Sequence, residues 1–217
     1  SEGVSNDEFG YSVASAGDVN GDGYDDVIVG APKFHTLNRG KAFLYYGTPT
    51  GLSPAPVWSA EGPSSNAQFG ISVASAGDVN GDGFGDVIVG APYASNGQNQ
   101  EGRVFIFHGS SGGLSISAQW TMESNNIGAL FGCSVASAGD VNADGYSDVV
   151  IGAAGYTNGQ AQEGRAFVYH GSAGGLSLIP AWTKEINQVD ASFGNSVAFA
   201  GDVDGDGFSD VAVAAFV

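Results

Sequence analysis

The sequence predicts an all-β fold, a β-propeller of four-stranded antiparallel blades, and three observations carry that prediction. A nine-residue Asp-rich stretch, Asp18 to Asp26, recurs from Asp78, Asp140 and Asp202, at intervals of 60, 62 and 62 residues. Self-similarity at such a period marks a repeat architecture. Each repeat divides into four short strand-like runs with a turn at every junction, which is the content of one propeller blade. The 36 glycines follow no triplet period and therefore serve turns. A β-solenoid is the competing architecture, but its rungs are usually much shorter than these repeats.

The elements follow in order. Phe-Gly opens each repeat, at Phe9-Gly10, Phe69-Gly70, Phe131-Gly132 and Phe193-Gly194, nine residues ahead of the first loop Asp. Ser12, Ser72, Ser134 and Ser196 begin a first strand that alternates small and apolar residues, as in Val13-Ala14-Ser15-Ala16, and so lies in a crowded place. After the Asp-rich loop comes a second strand: Val27-Ile28-Val29, Val87-Ile88-Val89, Val149-Val150-Ile151 and Val211-Ala212-Val213. Mostly β-branched runs without polar alternation suit a strand buried on both faces. The third strand reads Phe43 to Tyr46, Val104 to Phe107 and Ala166 to Tyr169. Glycine-bounded turns (47–51, 109–113, 171–175) lead to Leu52, Leu114 and Leu176, and Trp58, Trp120 and Trp182, six residues further on, mark the fourth strand.

The chain is thus one domain, 1–217, with repeats at 9–68, 69–130, 131–192 and an incomplete 193–217. Four first-and-second-strand hairpins and three third-and-fourth-strand hairpins make 14 strands, or three and a half blades. The last second strand, 210–217, is expected to present an apolar edge, and such an edge aggregates unless it is covered. The expectation is self-association, a homo-oligomer closing the ring; the alternative is that the remainder of a longer propeller completes it.

Composition excludes several functions. With 23 acidic residues against 6 Lys and Arg, the net charge of −17 leaves no basic surface for nucleic acid and repels an anionic membrane. No run approaches the ~20 apolar residues of a membrane span. Cys133 is the one cysteine, so no internal disulfide forms, and its repeat equivalents Tyr11, Ile71 and Asn195 mark an ordinary packing position.

The loops concentrate oxygen donors. Positions 1, 3, 5 and 9, with the backbone carbonyl of position 7, give Asp18, Asn20, Asp22, Tyr24 and Asp26 in the first copy; Asp78, Asn80, Asp82, Phe84 and Asp86 in the second; Asp140, Asn142, Asp144, Tyr146 and Asp148 in the third; and Asp202, Asp204, Asp206, Phe208 and Asp210 in the fourth. Hard Ca²⁺ takes 6–8 oxygens, which short Asp and Asn arms on a tight loop supply, and Gly23, Gly83, Gly145 and Gly207 permit the turn at position 6. An EF-hand loop would close with Glu at position 12 and enter a helix, whereas here Asp closes at position 9 and a strand follows. Mg²⁺ keeps more water, and Zn²⁺ asks for Cys or His, which the loops lack. The prediction is four Ca²⁺ per chain, each stapling the first strand to the second.

The Phe-Gly pairs, with Gly30-Ala31-Pro32 and Gly90-Ala91-Pro92, resemble the FG-GAP repeats of integrin α-subunit propellers and their bacterial relatives. The third and fourth repeats read Gly152-Ala153-Ala154 and Ala214-Ala215-Phe216, without the Pro. The resemblance implies a seven-bladed propeller with calcium in these loops, on an extracellular or cell-surface protein that binds other molecules in adhesion or protein–protein interaction. It supplies no motif for the ligand-contacting residues.

No catalytic constellation stands out. Gly109-Ser110-Ser111-Gly112-Gly113 fits a nucleophile pattern, but the same turn reads Gly47-Thr48-Pro49-Thr50-Gly51 elsewhere and no helix follows. His108 and His170 align with Tyr46 and read as half-buried aromatics; His35 stands alone; Arg39, Arg103 and Arg165 read as hairpin contacts. The acidic pairs belong to the loops, which leaves no carboxylate dyad for glycoside hydrolysis. The connections between second and third strands (33–39, 93–100, 156–162) vary most, and Tyr93 and Tyr156 are the predicted partner surface. A protein or glycan ligand is expected there, with a lectin-like propeller or an accessory fragment of a larger secreted enzyme as the alternatives.

Overall fold

A computed structural model describes residues 6–35 and 37–216. Three complete blades follow one another. In the first, β1 (Ser12–Gly17), β2 (Asp26–Ala31), β3 (Lys41–Tyr45) and β6 (Trp58–Glu61) pair antiparallel in that order. A two-residue ladder, β4 (Gly47–Thr48) with β5 (Gly51–Leu52), sits inside the predicted glycine turn. The second blade holds β7 (Ser72–Gly77), β8 (Asp86–Ala91), β9 (Arg103–Phe107) and β10 (Trp120–Glu123). The third holds β11 (Phe131–Gly139), β12 (Asp148–Ala153), β13 (Arg165–Tyr169) and β14 (Trp182–Glu185). A fourth repeat contributes β15 (Ser196–Gly201) paired with β16 (Asp210–Ala214). The fold is a partial β-propeller, as the repeat pattern predicts; β11 alone reaches back to its Phe-Gly pair, through a bulge between Phe131 and Ser134. Val217, the end of the predicted apolar edge, lies outside the described residues.

The second strands explain their own composition. Val87 and Val89 point into a core shared with Ile28 and Leu44 of the preceding blade, while Ile88 points into the next core with Val149 and Ile151. β8 therefore buries both faces, one against each neighbouring blade, and period-2 polarity has no place in it. Trp58 and Trp120 reach forward in the same way. Their indole N–H groups donate to Ser115 O (2.9 Å) and Ser177 O (3.1 Å) of the following blade, and their rings meet Phe107 and Tyr169 edge-on.

The Phe-Gly and Gly-Ala pairs meet at the joint between blades. Ser12, Ser72 and Ser134 donate their hydroxyls to the carbonyls of Gly70, Gly132 and Gly194, at 2.8, 2.7 and 2.7 Å. Opposite each Ser, across the hairpin, stands Gly30, Gly90 or Gly152. A Cβ on any of the three would be driven into that same carbonyl oxygen, far inside contact distance. Only glycine lets the next blade approach so closely.

Each first strand ends in a bulge at Gly17, Gly77, Gly139 or Gly201, where the register shifts before the Asp-rich loop. The bulge turns the chain out of the sheet and sets the loop at one end of the blade.

Candidate metal centres

Within each loop the position-1 carboxylate organises the turn. Asp18 Oδ1 accepts the N–H groups of Gly21 (2.7 Å) and Asp22 (3.1 Å), and Oδ2 accepts that of Gly23 (2.8 Å). Slight burial opposes it, but the N–H groups of Gly23, Gly21, Asp22 and Asn20 together hold Asp18 below the usual carboxylate range. Asp22 accepts from Tyr24 N at 3.0 Å and from Asn20 Nδ2 at 2.9 Å. The second loop repeats the pattern at the same distances around Asp78 and Asp82, and Asp202 of the fourth accepts from Gly205, Asp206 and Gly207.

The position-9 carboxylates are fully buried in the first three loops. Asp26 Oδ2 accepts Val19 N (3.0 Å) and Oδ1 accepts Gly47 N (2.8 Å), so it bridges the loop to the turn after β3. Asp86 and Asp148 make the same pair of bonds, to Val79 and Gly109 and to Val141 and Gly171. Burial pushes all three up from the ordinary Asp range, Asp86 to about 7, against the pull of those N–H donors. The neighbouring position-5 carboxylates Asp22, Asp82 and Asp144 add repulsion.

In the fourth loop Asp202, Asp204 and Asp210 bring carboxylate oxygens within 4.8 Å of one another. These are positions 1, 3 and 9; Asn20, Asn80 and Asn142 occupy position 3 in the other loops. The position-5 residue Asp206 is not part of that group and caps Phe208 N at 2.9 Å. The donor set is oxygen throughout, which fits a hard cation and no soft one.

Adjacent loops are tied together. Gly85 N donates to Asp18 O (2.9 Å), Ser147 N to Asp78 O (2.9 Å) and Ser209 N to Asp140 O (3.1 Å).

Sequence reasoning missed one group beside the loops. Tyr46, His108 and His170 directly follow the third strands, and each reaches the position-3 Asn: the Tyr46 hydroxyl bonds the Asn20 side chain, while His108 Nδ1 and His170 Nδ1 lie 3.3 and 3.2 Å from Asn80 Nδ2 and Asn142 Nδ2. Their equivalence across repeats was the available signal; an Asn 26 or 28 residues away gives none.

The predicted partner residues are not equivalent. Tyr156 N bonds Ala153 O and its own carbonyl accepts Gly164 N, the positions that Ala94 and Phe34 hold in the other blades. Tyr156 packs edge-on against Phe167 beneath the Arg165 guanidinium, 4.6 Å away, and its hydroxyl accepts from Arg165 at 3.1 Å. Tyr93 instead borders a cavity of about 420 Å³ with Asn66, Gln68, Asn99 and Gln100. Buried Glu101 and Glu163 organise these connections, accepting the N–H groups of Asn96 (2.6 Å) and Asn158 (2.5 Å). Arg103 and Arg165 pair with Glu123 and Glu185 across the hairpin, and Arg39 donates to Gly62 O. Ser110 closes its own turn by donating to Gly113 O (2.9 Å); His35 is exposed at φ +73° in a turn. Cys133 is half-buried, and burial pushes its thiol up.

Blades of this design, each with an Asp-rich loop between its first two strands, define a repeat-built β-propeller. The FG-GAP repeat matches residues 9–45, 69–107 and 131–169, more than half of the chain, and the chain belongs to that family. It is 34% identical over 227 residues to integrin alpha pat-2 of Caenorhabditis briggsae, covering 97% of this chain and 18% of that protein. It is 35% identical to integrin alpha-V of Gallus gallus over 218 residues (96% and 20%), and 36% identical to integrin alpha-5 of Xenopus laevis over 185 residues (79% and 17%). The chain thus spans about a fifth of the length of these relatives. Among the described residues no helix is long and apolar enough to cross a membrane.

Proposed function

We propose that this chain is a calcium-binding propeller module of an extracellular or cell-surface protein, acting in adhesion or protein–protein interaction and without catalysis. The convergence of Asp202, Asp204 and Asp210 carries the reading, because three carboxylates so close repel one another and a bound cation would remove that repulsion. The same ligand frame, with Asn at position 3, recurs in the other three loops. Each loop holds one Ca²⁺ through positions 1, 3, 5 and 9 and the carbonyl of position 7, four ions per chain. Likeness to integrin alpha subunits supports the adhesion role and a protein ligand.

The test is calcium titration by calorimetry, paired with thermal melts in millimolar Ca²⁺ and in chelator. Four ions and a higher melting temperature in calcium are expected, and Asp22→Ala should lower that temperature before it alters any binding. Absence of calcium uptake at millimolar concentration refutes the reading.

A glycan ligand is the second reading, and the cavity beside Tyr93 favours it: an aromatic face among amide side chains is suited to a sugar ring. Glycan-array binding abolished by Tyr93→Ala supports it; binding unchanged by that substitution removes the site.

A further inference from the structure

We infer that Tyr46, His108 and His170 are positioning residues for the metal loops, each fixing which end of the position-3 Asn amide faces the ion. The inference rests on the calcium reading above.

An Asn amide has two nearly isosteric ends, and only the carbonyl end can ligate a cation. Left alone on an exposed loop, it can present either. In the second blade, Asn80 Nδ2 has two acceptors, Asp82 Oδ2 at 2.9 Å and His108 Nδ1 at 3.3 Å. They take both amide hydrogens. Oδ1 is thereby turned into the loop, where it accepts Asp82 N at 3.0 Å and keeps a second lone pair. A flipped amide would set its carbonyl oxygen against the Asp82 carboxylate and the imidazole lone pair. The third blade repeats the arrangement, with Asn142 Nδ2 at 2.9 Å from Asp144 Oδ2 and 3.2 Å from His170 Nδ1. In the first blade Asn20 Nδ2 meets Asp22 Oδ2 at 2.9 Å, and the Tyr46 hydroxyl is the second partner.

Two further observations single out these side chains. His108 Nε2 is buried and has no hydrogen-bond partner among the described residues, so among these the contact with Asn80 is the polar contact of that ring. The residue after each one, Gly47, Gly109 or Gly171, pins the position-9 carboxylate at 2.8–2.9 Å. Two consecutive residues at the end of each third strand thus fix two of the ligands. Outer-shell partners of this kind typically change metal affinity 10–100-fold. The fourth loop has Asp204 at position 3. A carboxylate has two equivalent oxygens and needs no orienting partner.

The test is calcium titration of a triple variant, Tyr46→Phe/His108→Phe/His170→Phe, which keeps the rings and removes the acceptors. The expected result is that three of the four sites weaken by roughly tenfold or more and one keeps its affinity, while the melting temperature in chelator stays close to that of the unaltered protein. His108→Tyr/His170→Tyr, which borrows the first blade's solution, should retain four sites of near-native affinity. Four sites of native affinity in the triple variant overturn this inference alone. So do weakened sites in the Tyr variant accompanied by a lower melting temperature in chelator, which indicate a packing role. No calcium uptake by the unaltered protein overturns the calcium reading itself, and this inference with it.

Discussion

The backbone N–H of Gly109 lies 2.9 Å from Oδ1 of Asp86, and together they join the Asp-rich loop of the second blade to the far end of its third strand. Val79 N takes the other oxygen, so a fully buried carboxylate is held by two neutral donors and, among the described residues, by no cation of the protein. Burial pushes Asp86 up to about 7, and Asp26 and Asp148 rise for the same reason. A carboxyl raised in the folded state binds its proton more tightly there than in the unfolded chain, so its contribution to stability is greatest below the unfolded value and is lost as pH rises toward 7. The metal-free protein should therefore lose stability between pH 4.5 and 7.5, by on the order of 2 kcal/mol for Asp86. Calcium should flatten that slope. Urea unfolding in chelator across this range measures it, and Asp86→Asn should remove part of the slope.

The joint between blades gives a second prediction. Gly90→Ala would place a methyl group against the Ser72 hydroxyl and the Gly132 carbonyl, and the carbonyl is backbone that cannot swing aside. The expected loss is about 3 kcal/mol, at the upper end for overpacking. Ser72→Ala leaves the Gly132 carbonyl without that donor and should cost about 1–2 kcal/mol. Denaturant unfolding of the two variants should rank them in that order.

The strands and loops were legible because their signals are local: β-branched runs, glycine turns and a repeated Asp pattern. The partners across blades were not. Nothing near Gly30 in sequence indicates that Gly70, 40 residues on, will press its carbonyl there. Tyr93 and Tyr156 look equivalent because each opens a polar connection. In the fold, Gly155 takes the place of Tyr93, and Tyr156 takes the packing place that Phe34 fills in the first blade and Ala94 in the second. The two connections are equal in length, so a displacement of the aromatic by one position within the turn changes what it packs against, and only the hydrogen bonds that close the turn reveal it.

The third loop carries a local misfit. Ala143 stands at φ +57° where the other loops place Gly21, Gly81 and Gly205 at +73 to +78°. In the first two loops the aromatic ring of the next blade's position 7 lies so close that a Cβ would crowd it: a Cβ on Gly21 would stand 2.7 Å from Phe84 Cε1, and one on Gly81 2.6 Å from Tyr146 Cε1. Phe208 is the corresponding ring for Ala143 and is 43% exposed. Ala143→Gly relieves the left-handed strain, worth about 1 kcal/mol, and admits the ring, against about 0.5 kcal/mol of added unfolded-chain entropy. A rise of about 1–3 °C in melting temperature is expected by calorimetry. No change or a fall shows that Ala143 is unstrained in its loop.

The same geometry bears on closure of the ring by a second copy. At the fourth repeat, Ser196 pairs across the hairpin with Ala214, the place held by Gly30, Gly90 and Gly152 at the three internal joints. The Ala214 methyl stands where the Phe-Gly carbonyl of a second copy would have to sit. Phe9-Gly10 of another copy is therefore not expected to dock on β16 as each Phe-Gly pair docks on the blade before it. The expected mass in millimolar calcium is that of a monomer. Ala214→Gly removes the obstruction and should strengthen association, read as a concentration-dependent rise in mass by light scattering. Equal dimerisation of both proteins would mean that copies meet through a different surface, and a stronger dimer of the unaltered protein would mean that the methyl group is accommodated by a shift of the joint.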